Sequence, residues 1–234
     1  MDFSDFDVRR YQTLPVVEGY REWAAHYESS VHDEMDLRLL DRLTSVAWVN
    51  ADSVLDLACG TGRIGRWLRA RGVRVIDGID LTSEMLDQAR AKGVYRSLRV
   101  GNVVDTRLPA RSYSLAIQVL ADEHLADLGP LYREAGRIAK PDGQFVIVGY
   151  HPFFLLNGIP THFHRTADGV PLAIESHVHL LSDHVRAAAA ADWALGEMIE
   201  GVVDDQWIAA KPKWEKYRGR PVSYAAVWMR SEKA

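Results

Sequence analysis

One stretch constrains this chain more than any other: Val54-Leu55-Asp56-Leu57 runs through Ala58-Cys59-Gly60-Thr61-Gly62 into a helical pattern from Arg63 to Arg71. Val54, Leu55 and Leu57 form the short apolar run of a strand buried on both faces. Gly60 and Gly62 remove the side chains that would hold a ligand away from the backbone. The helix that follows aims its unpaired N-terminal amides at whatever the loop holds. Strand, glycine loop and helix together form a cradle for a nucleotide cofactor. The Gly60-x-Gly62-x-x-Gly65 spacing alone also describes dinucleotide loops and ordinary tight turns, so the flanking residues must decide.

The pattern downstream repeats this rhythm. Val73 to Asp80 reads as a second strand, Ser83 to Lys92 as a helix capped by Thr82, Ser97 to Val100 as a third strand and Ser114 to Val119 as a fourth. Leu128 to Ile138 follows as a helix, and Gln144 to Gly149 as a fifth strand entered through a Pro141-Asp142-Gly143 turn. Such alternation predicts a doubly wound α/β fold, mostly parallel, with right-handed crossovers and a ligand crevice at the carboxyl ends of the strands. Upstream, Tyr20, Trp23 and Tyr27 share one helical face, and Leu37, Leu40 and Leu43 share another, which predicts a helical cap or lid at the edge of the sheet over residues 1–50. Core packing is the plainer role for that aromatic face, although Tyr20 and Tyr27 are also candidates to touch a substrate.

After Tyr150 the rhythm breaks. Residues 151–181 read as an insertion, with Asp168-Gly169 turning a hairpin between Thr161 to Arg165 and Val170 to Ile174. Ser182 is the expected cap of an alanine-rich helix to Asp192. Leu195 to Val203 and Ser223 to Met229 then make sixth and seventh strands, with no crossover helix between them, which predicts an antiparallel pair. At 234 residues the chain suits one domain, comprising the cap, a cofactor half over 51–150, the insertion and a C-terminal helix and strand pair over 182–234.

Composition narrows the setting. No window approaches the roughly 18 apolar residues of a membrane span, so no membrane partner is expected. The acidic start Met1-Asp2-Phe3-Ser4-Asp5 lacks a basic, apolar leader, so a cytoplasmic location is expected. A lone cysteine, Cys59, excludes an internal disulfide and a cysteine-based metal cluster. A net charge of -4 gives no general reason to bind nucleic acid and leaves a small molecule as the plain partner, with a homodimer one assembly open to the chain.

Two carboxylates flank the glycine loop: Asp56 at the end of the first strand and Asp80 at the end of the second. An acid at the second position suits the vicinal hydroxyls of a ribose. An acid beside the loop repels a pyrophosphate and attracts an ammonium group. A ligand with adenosine at one end and an amino acid at the other satisfies both. The plainer roles, loop brace for Asp56 and helix cap for Asp80, explain each residue singly but not the pair with its glycines.

These residues, with Met85-Leu86, Gly101-Asn102 and Leu131-x-x-Glu134-x-x-Arg137-x-x-Lys140-Pro141-Asp142-Gly143, resemble the class I S-adenosylmethionine-dependent methyltransferases, especially those acting on small molecules. The resemblance spans roughly residues 50 to 230. It implies S-adenosylmethionine as cofactor and a seven-stranded Rossmann-like sheet with an antiparallel last strand. By position it implies that Asp56 and the backbone of Ala58, Gly60 and Gly62 hold the methionine end, that Asp80 binds the ribose, and that Leu81 packs on the adenine. Asn102 would meet the adenine amine where the family usually has aspartate, with Val103 offering an amide and Asp105 a rival. Cys59, Thr61, Met85, Gln118 and Val119 complete the implied set. Ser114 also departs from the family's usual aspartate.

The acceptor belongs beyond the fourth and fifth strands, beside Gln118 to His124 and Tyr150-His151, which makes His124 and His151 the candidate bases, with a structural histidine the plainer role for each. Six of nine histidines fall between 151 and 184; His162 and His164 share a strand face, as do His177 and His179. Without a paired carboxylate and cysteine set nearby, pocket lining ranks above metal binding, and no metal is expected. Trp207 and Trp214 can wall an acceptor or simply anchor their loop. Gln118-Val119-Leu120-Ala121 is not the Asn/Asp-Pro-Pro-aromatic motif of base-methylating enzymes, which argues against nucleic acid. The expected activity is methylation of a metabolite hydroxyl, with carbon or nitrogen methylation and a non-catalytic cofactor sensor as the alternatives.

Overall fold

The computed structural model describes residues 1–30 and 35–230. Its elements are β1 (Gln12–Leu14), α1 (Val16–Trp23), α2 (Tyr27–Ser30), α3 (Met35–Arg42), β2 (Val54–Leu57), α4 (Arg63–Ala70), β3 (Ile76–Asp80), α5 (Ser83–Ala91), β4 (Ser97–Val100), β5 (Tyr113–Val119), α6 (Gly129–Ile138) and β6 (Ala139–Tyr150). There follow α7 (Pro152–Leu155), β7 (His162–His164), β8 (Pro171–Ile174), α8 (Leu181–Ala190), β9 (Trp193–Val202), α9 (Asp205–Ala210) and β10 (Pro221–Arg230).

Seven strands form one sheet in the order β4-β3-β2-β5-β6-β10-β9. Its first five strands run parallel, and β10 lies antiparallel to both β6 and β9. The period-two alternation of each strand explains the two layers. Leu55, Leu57, Ala116, Phe145, Ile147, Tyr224 and Trp228 pack with Leu131, Tyr132 and Ile138 of α6 and Ala188 of α8. Val54, Leu115, Ile117, Val146, Val148, Ala225 and Val227 point the other way, onto Leu39 and Leu40 of α3 and Trp67 and Leu68 of α4. Both faces are thus covered, as a parallel sheet requires. Leu40 and Leu68 are wholly buried, and truncating such a leucine to alanine costs about 2–5 kcal/mol.

Several expectations need correction. The N-terminal helices divide between two places: α3 lies on the sheet face over β6, β10 and the edge strand β9, while α1 packs on α5 and β8. A 3-10 turn at Ala24–His26 interrupts the helix, yet Trp23 stays 6.0 Å from Tyr20 and 4.8 Å from Tyr27 between ring centroids. The predicted hairpin is present, with His162 opposite Ala173, but the N-terminal β1 joins it, pairing parallel with β8. Pro141 to Gly143 fall within β6 as an irregularity in its pairing with β5 rather than before the strand. The first turn of α8 is held not by Ser182 but by Asp183, whose carboxylate accepts the Leu180 amide at 2.8 Å. The segment from Asp204 to Val222 is largely folded, with Asp204 capping α9 by accepting the Trp207 amide at 2.8 Å.

Candidate active site

Between β2 and its neighbours β3 and β5 the direction of winding reverses, which opens a crevice at the carboxyl ends of the strands. Two non-glycine residues there are held in the left-handed region: Ala58 after β2, at φ 57°, and Leu120 after β5, at φ 55°. Such strain costs of order 1–3 kcal/mol and persists where function or packing over-determines it. Both line the first cavity, together with Cys59, Gly60, Thr61, Asp80, Leu81, Met85, Asn102, Val103 and Val119. Asp80 is set at its centre: Oδ2 accepts the Gly60 amide and Oδ1 the Thr82 amide, both at 2.8 Å. One carboxylate therefore fixes the glycine loop and starts α5, while each oxygen keeps a lone pair for a ligand hydroxyl. Asn102, not Asp105, faces this cavity; its Oδ1 also accepts the Val104 amide at 3.1 Å, whereas Asp105 pairs with Arg107 on the surface.

Asp56 is placed differently. It is 1% exposed, lies outside the cavity wall, and accepts the Tyr95 hydroxyl at 2.7 Å. The Tyr95 ring occupies a slot made by glycines: a Cβ on Gly65 would stand 2.3 Å from it and a Cβ on Gly62 2.9 Å. Gly62 and Gly65 thus serve helix packing as well as backbone approach. Burial pushes the Asp56 carboxyl up to about 7, against the opposing pull of the Tyr95 hydroxyl. Asp56 braces the loop from beneath, and in this geometry it does not touch a ligand of the first cavity.

The second cavity adjoins the first and shares Tyr20, Tyr27 and Leu120 with it. Its inner end is formed by the 3-10 turn Asp122–His124 that follows β5. The fold fastens this turn from below. Asp122 accepts the Tyr224 hydroxyl at 2.8 Å, and Gly149 lets it lie against β6, since a Cβ there would stand 2.6 Å from the carboxylate. His184, fully buried, links the hydroxyls of Tyr224 (2.8 Å) and Tyr132 (2.9 Å). Burial beside the Asp122 carboxylate raises the Glu123 carboxyl well above the usual range. Glu123 lines the second cavity at 2% exposure; Thr161 donates to Oε1 at 3.4 Å, and Oε2 is buried with no hydrogen-bond partner.

His124 lines the first cavity. Its Nδ1 lies 2.7 Å from the Glu175 carbonyl oxygen, which can only accept, so Nδ1 carries the proton and Nε2 accepts the Tyr20 hydroxyl at 2.8 Å. Burial lowers the imidazole to about 4, so it is neutral near neutral pH. Tyr20 is thereby fixed at the wall between the cavities.

Residues 55–147 match the family model described as a methyltransferase domain. The similarity falls on the strands and helices from β2 to β6. A malonyl-[acyl-carrier protein] O-methyltransferase of Yersinia pestis is 37% identical over 90 residues, covering 38% of this chain and 33% of the relative. A ubiquinone biosynthesis O-methyltransferase of Neisseria meningitidis serogroup C (strain 053442) is 27% identical over 123 residues, covering 49% and 50%. The matches thus span between a third and a half of these relatives. A solved S-adenosylmethionine dependent methyltransferase from Mesorhizobium loti superposes with a TM-score of 0.67 at 23% identity, over 83% of this chain and 96% of that one, a likeness of fold. The seven-stranded sheet with its antiparallel β10 is the Rossmann-like methyltransferase fold.

Besides Asp56, four expected site residues lie outside the walls of both cavities. His151 caps α7, accepting the Phe153 amide at 3.1 Å through Nδ1, while Nε2 lies 3.1 Å from Glu200; it lines neither cavity. Gln118, with its amide oriented to suit its neighbours, accepts the Ala121 (2.5 Å) and Asp122 (3.0 Å) amides and holds the turn from behind. Gly62 packs on Tyr95 outside the wall. Trp207 is buried beneath Trp214, 5.5 Å away between centroids, and it is Trp214 that reaches the second cavity. His162 and His164 do line that cavity, and among the described residues no three His, Cys, Asp or Glu side chains converge as a metal site. Arg63, Leu120 and Glu123 were not picked out by the sequence. Glu123 stands beside His124 in sequence, but only its burial distinguishes it. No helix of the described residues is long and apolar enough to cross a membrane.

Proposed function

We propose that this chain transfers a methyl group from S-adenosylmethionine to a hydroxyl oxygen of a small-molecule acceptor. The observation that carries the reading is the meeting of two cavities at Tyr20, Tyr27 and Leu120, one with a ribose-suited carboxylate and the other with an orphaned buried carboxyl. The residues of the first cavity fit the cofactor by their chemistry. Asp80 suits the ribose diol, Leu81 and the Asn102-Val103 backbone suit the adenine, and the loop backbone at Ala58, Cys59, Gly60 and Thr61 suits the amino-acid end, with Met85 and Val119 as apolar walls. Arg63, ion-paired with the buried Asp36, lines the same cavity and suits a carboxylate. When bound, S-adenosylmethionine supplies an electrophilic methyl group on a sulfonium.

The chain's own contribution is alignment, shielding and proton removal. Alignment supplies the largest share, roughly 7–11 kcal/mol for well-oriented partners. Tyr20 and Tyr27 present rings at the junction, where a sulfonium gains roughly 0.5–2 kcal/mol from an aromatic face. Glu123, rather than His124, takes the hydroxyl proton, at the unpartnered Oε2. Its carboxylate is more basic than an ordinary one, whereas His124 is a weak base whose Nε2 already holds Tyr20. A concave, aromatic-lined cavity and a net charge of -4 favour a metabolite over nucleic acid.

Incubating the purified protein with methyl-labelled S-adenosylmethionine and a small-metabolite extract tests the reading. A labelled small-molecule product with an alkali-resistant methyl ether is expected. Cofactor binding with no transfer would contradict it and favour a sensor.

A further inference from the structure

The second cavity has two chemically different ends. The inner end, beside the junction, carries the buried Glu123. The outer end is formed by the hairpin and the segment after α9, and it presents His162, His164 and Lys213, the last two exposed. Between them the walls are aromatic: Trp23 stacks on Phe163 (5.3 Å, 12°) and Phe154 on Trp214 (5.3 Å, 21°).

The outer end gathers like charges. Burial lowers the His162 imidazole from its ordinary value, and Arg9, His164 and Lys213 act on it in the same direction. Among the described residues, no carboxylate is ion-paired with Arg9, His164 or Lys213, although surface cations elsewhere in the chain commonly are, as in Arg21–Glu84 or Lys140–Asp52. The lone carboxyl among the described lining residues is Glu123, at the far end. Arg9 and Lys213 bring positive charge to this end with no carboxylate paired to either among the described residues, which favours an anion there. A second sign of a missing ligand lies nearby: Nε2 of His26, a lining residue, is buried without a partner.

We propose that the acceptor is an aromatic hydroxy acid, seated with its carboxylate at Lys213 and His164, its ring between the stacked aromatic pairs and its hydroxyl at Glu123. The carboxylate is thus the handle and the hydroxyl the reacting group, because only the inner end adjoins the cofactor cavity. A cavity of about 480 Å³ holds a single-ring acid of this kind with room for a short side chain. The proposal rests on the reading of this cavity as the acceptor site.

The test is calorimetry on the full chain loaded with S-adenosylhomocysteine, using para-hydroxycinnamate, its methyl ester and its primary amide. The acid is expected to bind about tenfold more tightly than either neutral analogue, with the advantage shrinking as salt is raised. Lys213→Glu should abolish that advantage, and Lys213→Gln should reduce it, while S-adenosylhomocysteine affinity stays unchanged in both. Lys213 is exposed, so neither variant threatens the fold. An acid that binds no better than its ester, or not at all, overturns the proposal, as does a preference indifferent to Lys213. Failure of methyl transfer is a separate outcome: an acid preference that persists in a protein with no turnover leaves the anion site standing and removes the enzyme.

Discussion

Glu123→Gln should lower kcat by about 10²- to 10⁴-fold while leaving S-adenosylmethionine affinity within a factor of two, the range expected when a positioned proton acceptor is lost. The substitution is nearly isosteric, and the amide oxygen can still accept from Thr161, so the turn that carries it should persist. Its pH profile separates a base from a merely structural carboxyl. Burial and the neighbouring Asp122 raise the Glu123 carboxyl, so wild-type kcat should climb as pH rises through that raised value, and the variant should lose this limb. His124 cannot supply the limb, since it is already neutral above about 4. Stability should run the opposite way. A carboxyl whose folded value lies above its unfolded one favours the native state at acid pH and loses that contribution as pH rises through the folded value. Glu123→Gln should therefore be more stable relative to wild type at pH 9 than at pH 5, as thermal melts would register. An unchanged kcat and profile would remove Glu123 from the chemistry.

Asp80→Ala should weaken S-adenosylmethionine by at least about 100-fold in calorimetry. Three effects add. The ribose loses its acceptor, and the Gly60 and Thr82 amides each lose a hydrogen bond that costs about 1–3 kcal/mol to leave unmade. The loop those bonds hold also gains freedom that binding must then remove. Asp80→Asn keeps one carbonyl oxygen and one of the two amide contacts, so its loss should be smaller. Equal and near-native affinities in both variants would show that Asp80 starts α5 without meeting a ligand.

What could be read from the chain, and what could not, follows from the range of the interactions involved. β2, β3, β5 and the first turn of α4 were legible because a strand buried on both faces leaves a local apolar run, and a glycine loop leaves a local spacing. β1 was not, because Gln12-Thr13-Leu14 has no pattern of its own and becomes a strand only by pairing with β8, some 160 residues away. Asp56 was misread for the same reason. Its neighbours in sequence suggest a ligand, whereas Tyr95, seated against Gly62 and Gly65, supplies its partner. His151 and Trp207 fell in suitable segments, but a helix cap claims one and the aromatic cluster above α9 the other. Glu123 shows the converse: side-chain type favours the adjacent His124 as a base, and burial reverses the order by lowering the imidazole and raising the carboxyl. The glycine cradle, Asp80 and the sheet were thus written locally, while the acceptor end depends on contacts between the N-terminal helices, the hairpin and the segment after α9.

The account stands on one spatial relation: a cofactor held by Asp80 whose reacting end opens onto Glu123. A structure of the protein with S-adenosylhomocysteine tests it most directly. The ribose should sit on Asp80, and the sulfur should lie at the junction of Tyr20, Tyr27 and Leu120, facing the second cavity. A nucleoside bound away from Asp80, or a sulfur walled off from the second cavity, would contradict it.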